Sequence, residues 1–194
     1  MLLNILKQIN WLDIFVLVLM VRICYIAVKS GFPVELFKFA GTLSALYLAL
    51  HYHTVLSGYI INQVSFLDKL PGEFLQFIVF LALVTGGYSL FILLRSIFYR
   101  FLKMEAVSTL NKWGSLILGI ARGVLLASLI MFMFTISSVG YFKNSVRASY
   151  LSSRLFLVAP DTYSWIWNSI TSKFALSEKY NPTVTLTTEE FLKK

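Results

Sequence analysis

The chain contains four long apolar segments, and this pattern limits its fold more than any other feature of the sequence. The segments cover residues 11–28, 33–50, 74–98 and 113–138. A helix needs about 20 mostly apolar residues to cross the hydrocarbon core of a bilayer. Lipid leaves only helices and closed barrels as spanning structures. The sequence therefore predicts an all-α membrane protein whose four transmembrane helices form two hairpins.

The composition agrees with a membrane protein and argues against a soluble one. Of 194 residues, 58% are hydrophobic and only 13% are charged, whereas about a quarter are charged in a typical soluble domain. The net charge is +8, and the basic residues lie mostly at the ends of the apolar segments. This placement favours contact with a lipid bilayer and its anionic headgroups. No basic stripe with interleaved aromatic residues is present, so no nucleic acid partner is expected.

Few residues are of the types that hold a cofactor or a metal. Cys24 is the single cysteine, so a disulfide within the chain and a cysteine-rich metal site are both excluded. His51 and His53 form an H-x-H pair, but no third ligand is evident. No nucleophile elbow, P-loop, HExxH or dinucleotide-binding motif is present. The sequence therefore predicts no cofactor, no metal and no enzymatic activity.

The first two apolar segments are expected to form a helical hairpin. Lys7 precedes the first segment, as in a signal peptide, but Arg22 interrupts it and no small-residue cleavage site follows. The second segment is short and contains Lys38, so a re-entrant segment is the alternative. Gly31 permits a tight bend, and Pro33 suits the first turn of a helix. Residues 29–32 are therefore predicted to join two antiparallel helices.

The C-terminal part differs in amino-acid composition from the apolar segments. Residues 1–140 form the predicted transmembrane domain. Residues 141–170 mix apolar, basic and aromatic side chains, which predicts amphipathic helices lying on the membrane surface. A small helical pair outside the membrane is the alternative. Residues 171–194 are polar and rich in threonine, and are expected to form a loosely ordered, flexible tail.

Lysine and arginine near the segment ends predict the orientation. The first turn and the connection between the third and fourth segments carry six basic residues, against five on the other side. The six are Lys29, Lys38, Arg95, Arg100, Lys103 and Lys112; the five are Lys7, Lys69, Lys143, Arg147 and Arg154. The sequence therefore predicts that both termini face away from the cytoplasm.

Small residues four apart mark two helix-packing stripes. Helices in lipid associate where small side chains let their backbones approach closely. The fourth segment carries one stripe and the second segment another, and these are Ser115, Gly119, Gly123 and Ala127, and Gly41, Ala45 and Ala49. The two helices run parallel in a four-span hairpin order. We expect them to contact each other or the same pair in a second copy, so a homo-oligomer is predicted.

Five ionisable residues within or near the apolar segments are candidate functional residues. Charges inside a membrane are costly, and usually face the protein interior or water. Arg122 lies near the predicted bilayer centre, whereas Arg22 is close enough to a segment end to snorkel. Asp13 points away from Arg22 on an ideal helix. Glu35 and Lys38 share one face, and Glu35 is a candidate counter-ion for Arg122 or Arg22. These charges either fix the helix register or line an ion or solute path.

Four segments together resemble a known protein family. They are NWLDIFVLVLMVR, KSGFPVELFKFAG, GSLILGIARGVLLASLI and SVRASYLSSRLFLVAP, at residues 10–22, 29–41, 114–130 and 145–160. In order, they resemble the colicin V production protein family, over residues 10–170. Seven residues of this chain occupy motif positions of the family: Asp13, Gly31, Phe32, Glu35, Gly119, Arg122 and Gly123. The chain departs from the family pattern at Lys29, where arginine is frequent, and in its polar tail.

The resemblance implies a function without implying a reaction. It indicates a four-span protein of the bacterial inner membrane, linked to production or export of a secreted toxin peptide and to envelope homeostasis. Two hypotheses follow. The first is a non-enzymatic scaffold or accessory factor with a secretion or envelope partner protein. The second is a small channel or transporter that uses Glu35, Lys38 and Arg122 as a polar path.

Overall fold

Four long helices form the body of the molecule. The computed structural model describes residues 9–63, 70–101, 108–175 and 177–193. The long helices are α1 (Trp11–Ser30), α2 (Phe32–Gln63), α3 (Gly72–Phe101) and α4 (Ser108–Ile136). Each contains a stretch long and apolar enough to cross a membrane, and the described residues contain no strand. The predicted all-α fold with four spanning helices is confirmed.

The second helix differs most from its predicted bounds. α2 is one continuous helix of 32 residues, so the structure corrects both the predicted end at residue 50 and the re-entrant alternative. The extra turns contain His51, His53 and Ser57, whose side chains are buried. A criterion based on apolar runs misses such turns, because their polar groups find partners inside the protein.

A tight turn joins α1 to α2, as the sequence predicts. Gly31 has φ 82° and ψ 162°, a backbone conformation that is almost restricted to glycine. Its N–H donates to the Ala27 carbonyl, and the Phe32 N–H donates to Asn111 Oδ1 at 2.7 Å. Asn111 belongs to the first turns of α4. The starts of α2 and α4 therefore meet at one end of the bundle, here called the turn end.

The helices do not pack in their order along the chain. α2 packs mainly on α3 and on α4, and α1 packs mainly on α4, whereas α1 and α2 make few contacts beyond their turn. α2 and α4 are therefore central, with α1 and α3 on their flanks. This arrangement leaves a cleft between the two flanking helices, with the central pair as its floor.

The C-terminal segment folds over the end of the bundle opposite the turn end, here called the terminal end. It consists of short helices that pack on α1, α2 and α4. They are α5 (Gly140–Ala148), α6 (Ser152–Leu155), α7 (Val158–Ile166), a π-helical turn (Trp167–Thr171), α8 (Ser172–Phe174) and α9 (Pro182–Leu192).

An aromatic column holds this segment on the bundle. Phe80 of α3 stacks on Phe132 of α4, which stacks on Phe156, and Phe156 stacks on Phe191 of α9 with ring centroids 4.0 Å apart. Ser128 of α4 adds polar anchors, because its hydroxyl donates to the Phe156 carbonyl and accepts from the N–H of Ala159. The core of the molecule therefore extends from the bundle into its C-terminal cover.

The structure corrects the expectation of a loosely ordered tail at residues 171–194. Asn181 caps α9, Pro182 occupies its first turn, and Val184 and Phe191 are buried. These residues follow known helix rules, namely an asparagine cap, a proline at the first helical position and apolar residues spaced on one face. The polar composition of the tail conceals this short amphipathic pattern.

Both ends of the described chain lie at the terminal end. This follows from the helix directions, since α1 starts there and α4 ends there. Three residues used for the orientation, Lys7, Lys69 and Lys103, lie outside the described residues, as does the side chain of Arg100. Which end faces the cytoplasm stays a prediction, as does the membrane-surface location of residues 141–170.

Candidate functional site

A buried carboxylate at the start of α2 organises the main charge cluster. Glu35 is fully buried, and it lies in the first helical turn, where the helix dipole favours an acid. Its Oε1 accepts a hydrogen bond of 2.6 Å from Lys38 Nζ, and its Oε2 lies 3.0 Å from Arg122 Nη2. The second contact is an approach of opposite charges without a well-aligned hydrogen bond. One carboxylate therefore faces two cations.

Arg122 links three of the four long helices. It projects from α4, is 5% exposed, and reaches Glu35 on α2. Its Nη1 donates to the hydroxyl of Tyr88 on α3 at 3.2 Å. Its Nε is buried and has no hydrogen-bond partner. The guanidinium of Arg122 therefore links the two central helices, and its Nε–H forms no hydrogen bond.

Lys38 and Arg22 complete the basic side of the cluster. Lys38 Nζ also donates to Ser30 Oγ at 2.8 Å, which ties α2 to the end of α1. Arg22 is an exposed residue of α1, and it has no carboxylate partner in the part of the chain that the structure describes. The sequence predicts Arg122 or Arg22 as the counter-ion of Glu35, and the structure places Arg122 there.

The charge cluster lines the cleft between α1 and α3. The cleft has a volume of about 430 Å³, which is within the usual size range of small-ligand sites. Arg22, Lys38 and Arg122 contribute its charged groups, and apolar side chains from all four long helices form most of its walls. The basic residues that the sequence singled out are therefore brought together at one surface.

Asp13 lies apart from this cluster, at the terminal end. Its carboxylate accepts hydrogen bonds from the Ser149 hydroxyl at 2.6 Å and from the N–H groups of Tyr150 and Leu151. It also accepts from the Asn10 N–H in a capping box at the start of α1. Asp13 therefore fastens the C-terminal segment to α1, and the structure corrects its placement on an intramembrane path with Glu35.

The glycines of the fourth-helix stripe face α1. A Cβ atom on Gly119 would collide with the Cβ of Ala27, and one on Gly123 would lie 2.6 Å from the sulfur of Met20. α2 and α4 do pack on each other, but these glycines do not form their contact. Contact between α2 and α4 is therefore as the sequence predicts, whereas the glycines of the fourth-helix stripe leave room for α1 instead. Ser115 and Ala127 of the same stripe are fully buried.

The stripe of the second helix contacts α3. A Cβ on Gly41 would lie 2.8 Å from the Cβ of Phe91, and one on Gly87 would lie 2.9 Å from the Cα of Ala45. Ala49, the last member of this stripe, is fully buried. Both stripes therefore serve contacts within the chain, and Gly87 is a packing residue that the sequence analysis missed. Its signal was present in the sequence as a Gly-Gly pair within the third segment.

A second polar site joins α2 to the C-terminal segment. The Tyr163 hydroxyl accepts from the Asn181 N–H, which leaves its own hydrogen free for His51 Nδ1 at 2.9 Å. His51 Nε2 then donates to Glu178 Oε2 at 3.0 Å. Both ring nitrogens of His51 therefore have a partner, which fixes the orientation of the ring. Sequence reasoning could not find this relay, because His51 lies more than 100 positions from Tyr163 and Glu178 along the chain.

Two groups of the relay that lie outside the spanning helices have a shifted pKa. The hydrogen bond from His51 holds the pKa of the Glu178 carboxyl below its ordinary value of 4.5, and a hydrogen bond from Tyr52 acts in the same direction. Burial raises the pKa of the Tyr163 hydroxyl above its ordinary value. Glu178 is therefore ionised, and Tyr163 is neutral, at neutral pH.

His53 does not join this relay. It is fully buried, and its Nδ1 bonds to the Ala49 carbonyl of its own helix at 2.8 Å. Among the described residues, no group of three or more His, Cys, Asp or Glu side chains is placed to hold a metal ion. The two histidines of the H-x-H pair thus have different surroundings: His51 belongs to the relay, and His53 bonds to the backbone of its own helix.

Comparison with protein families gives a match over most of the chain. The family model described as colicin V production protein matches residues 12–176. This range includes the four long helices and the short helices α5 to α8. No curated protein and no solved structure matched the chain.

Proposed function

The chain belongs to the colicin V production protein family, and we propose that it is a non-enzymatic accessory or scaffold protein of the bacterial inner membrane. In this role it assists the production or export of a secreted toxin peptide and supports envelope homeostasis. The observation that carries the proposal is the contact of Glu35 with both Lys38 and Arg122. A charge network that connects α1, α2, α3 and α4 favours a fixed framework.

Secretion measurements test this role. In a strain that lacks the gene, the wild-type protein should restore release of the toxin peptide and resistance to detergents. Gly119→Leu should abolish both, because it separates α1 from α4, whereas Gly86→Leu should not, because a side chain on Gly86 meets open space. Arg122→Gln should retain function wherever the purified variant is folded. Failure of the wild-type protein to restore either phenotype would contradict the proposal.

We also propose that the protein forms a homo-oligomer, through a surface other than the small-residue stripes. The stripe glycines Gly41, Gly119 and Gly123 contact helices of the same chain. A homo-oligomer therefore uses other lipid-facing surfaces, and Gly119→Leu should not act by separating subunits. Native mass spectrometry of the purified protein gives the number of chains, and a strictly monomeric protein would remove this part of the proposal.

A channel or transporter is the second candidate function. It is favoured by the cleft, where Arg22, Lys38 and Arg122 line a single space. On this hypothesis, proteoliposomes show a flux of ions or solutes that Glu35→Gln reduces while the fold persists. No flux of a given ion from well-folded protein would exclude the hypothesis for that ion.

A further inference from the structure

The cleft between α1 and α3 carries an excess of positive charge. Arg22, Lys38 and Arg122 line it, and Glu35 is the one carboxylate that the described residues place against any of them. This carboxylate already faces two of the three cations. Uncompensated charge of this kind is expensive in a membrane interior, and it marks a place where an anion is stabilised.

Arg122 supplies a second, independent sign of a ligand. The residue is 5% exposed, it lines the cleft, and its buried Nε donor has no hydrogen-bond partner. A buried donor without a partner costs free energy. A guanidinium forms strong paired hydrogen bonds with phosphate oxygens, so a small shift of the Arg122 side chain toward the cleft would let a phosphate there accept from this donor.

The shape and lining of the cleft indicate that its ligand is an amphiphile, with a charged and an apolar part. Leu19, Ile23, Val84 and Leu126 contribute apolar wall. Arg22 at its margin is exposed, so the cleft opens sideways toward the surroundings of the bundle. A small inorganic anion would leave the apolar walls uncovered, whereas an acyl chain would cover them.

Two of the three cations lie at a level along the bundle that fits a lipid headgroup. Lys38 and Arg22 lie about 9 Å and 12 Å from the turn end, at 1.5 Å per residue. α2 and α3 have 32 and 30 residues, and helices of such length extend beyond a hydrocarbon core of about 30 Å. The long basic side chains can therefore reach toward the headgroup level of one leaflet.

We propose that this cleft binds an anionic phospholipid of the surrounding bilayer. Arg22 and Lys38 hold its phosphate, Arg122 reaches toward the phosphate from deeper in α4 as it reaches Glu35, and one acyl chain lies along the apolar walls between α1 and α3. Basic pockets between transmembrane helices bind anionic headgroups in this manner. The site is a defined pocket within the bundle, distinct from general attraction between surface lysines and a membrane.

Lipid titration followed by native mass spectrometry tests the proposal. The full chain is delipidated in detergent and titrated with phosphatidylglycerol, with phosphatidylcholine of the same chains, with the free fatty acid and with inorganic phosphate. We expect one phosphatidylglycerol to bind at least about fivefold more tightly than phosphatidylcholine, from the contribution of each basic residue to anionic-lipid binding. Equal binding of the two phospholipids, or retention of only the fatty acid or phosphate, would overturn the proposal.

Two variants locate the site. Arg22→Gln should weaken phosphatidylglycerol binding about fivefold, and it should leave the fold intact because Arg22 is exposed and has no ion pair among the described residues. Lys29→Gln is the matched control, since Lys29 is exposed, lies near the turn end and does not line the cleft. Equal effects of the two variants, or no effect of Arg22→Gln, would refute the site. The measurement concerns binding alone, so its failure leaves the accessory role untouched.

Discussion

At the scale of single residues, Glu35 is a charged group held inside the protein. Its carboxylate is fully buried, and its counter-charges come from its own helix and from α4. Removing one member of a buried ion pair leaves an uncompensated charge, which costs more than the pair contributes. The effect of a substitution in this cluster therefore depends on which charges remain.

We expect Glu35→Gln to lower the free energy of unfolding by about 3–5 kcal/mol, because Arg122 and Lys38 lose their counter-charge. The double variant with Arg122→Gln should recover part of this loss. The measurement is reversible unfolding in mixed detergent micelles. Lys143→Gln is the control, because it removes a pair with Glu73 that is partly exposed and is worth about 1 kcal/mol or less. Additive effects of the two buried substitutions would show that the ion pair contributes nothing.

Gly31→Ala should destabilise the turn between α1 and α2. The backbone conformation of Gly31 costs other residues about 1–3 kcal/mol, and a Cβ atom there would lie 2.6 Å from Asn111 Oδ1. Gly58→Ala provides the contrast, because it lies within α2 with open space around it and should be neutral or stabilising by up to about 1 kcal/mol. Thermal unfolding of both variants compares them, and equal midpoints would contradict the assigned turn geometry.

At the scale of elements, the bundle depends on close approach between particular helix pairs. α1 can lie against α4 because Gly119 has no side chain where Ala27 projects. α3 can lie against α2 because Gly87 faces Ala45. Backbones that approach this closely gain dispersion contacts, which are a main source of helix association in lipid. A change in one glycine should therefore affect one helix pair and spare the other.

Gly119→Ala should weaken the contact between α1 and α4, and the added substitution Ala27→Gly should restore it by returning the missing space. Disulfide crosslinking between cysteines placed on α1 and α4 measures the contact. Gly86→Ala on α3 is the matched control, because nothing lies within reach of its new side chain. If Gly119→Ala left crosslinking unchanged, the assigned contact between Gly119 and Ala27 would be wrong.

The C-terminal segment should loosen in acid. The pKa of Glu178 is lower in the folded protein than its ordinary value of 4.5, so its contribution to docking is complete above pH 4.5. This contribution is lost as the pH falls below 4.5 through the folded value. Hydrogen exchange of residues 177–192 measures the loosening. Glu178→Gln should lose this pH dependence, whereas the exposed Glu189→Gln should keep it; the same acid response in all three proteins would exclude Glu178 as its source.

The spanning elements were predictable because their signal is local. About 20 consecutive apolar residues suffice to identify a spanning helix, and Gly31 with Pro33 marked the turn between the first two. The additional turns of α2 were not predictable from apolarity, because the partners of His51 come from Tyr163 and Glu178. The sequence of α9 did contain helix signals, which the polar composition of the tail obscured.

At the scale of the whole molecule, the order of helix packing decides what the candidate site is. Glu35 and Arg122 were identifiable as costly intramembrane charges, but their contact requires α2 and α4 to be neighbours. The cleft requires in addition that α1 and α3 stand apart. Packing order arises from all interfaces together, so no single segment of sequence encodes it. The placement of Asp13 at the terminal end depends in the same way on the folded C-terminal segment.

The helix directions also make a prediction about topology. Both ends of the described chain, the end of α2 and the start of α3 lie at the terminal end, whereas the end of α3 and the start of α4 lie at the turn end. The distribution of lysine and arginine predicts that the turn end faces the cytoplasm. Alkaline phosphatase should therefore be active when fused after residue 193 and inactive when inserted between α3 and α4, and green fluorescent protein should report the opposite. Activity of alkaline phosphatase only between α3 and α4 would reverse the orientation, and activity at both places would contradict the four-span topology itself.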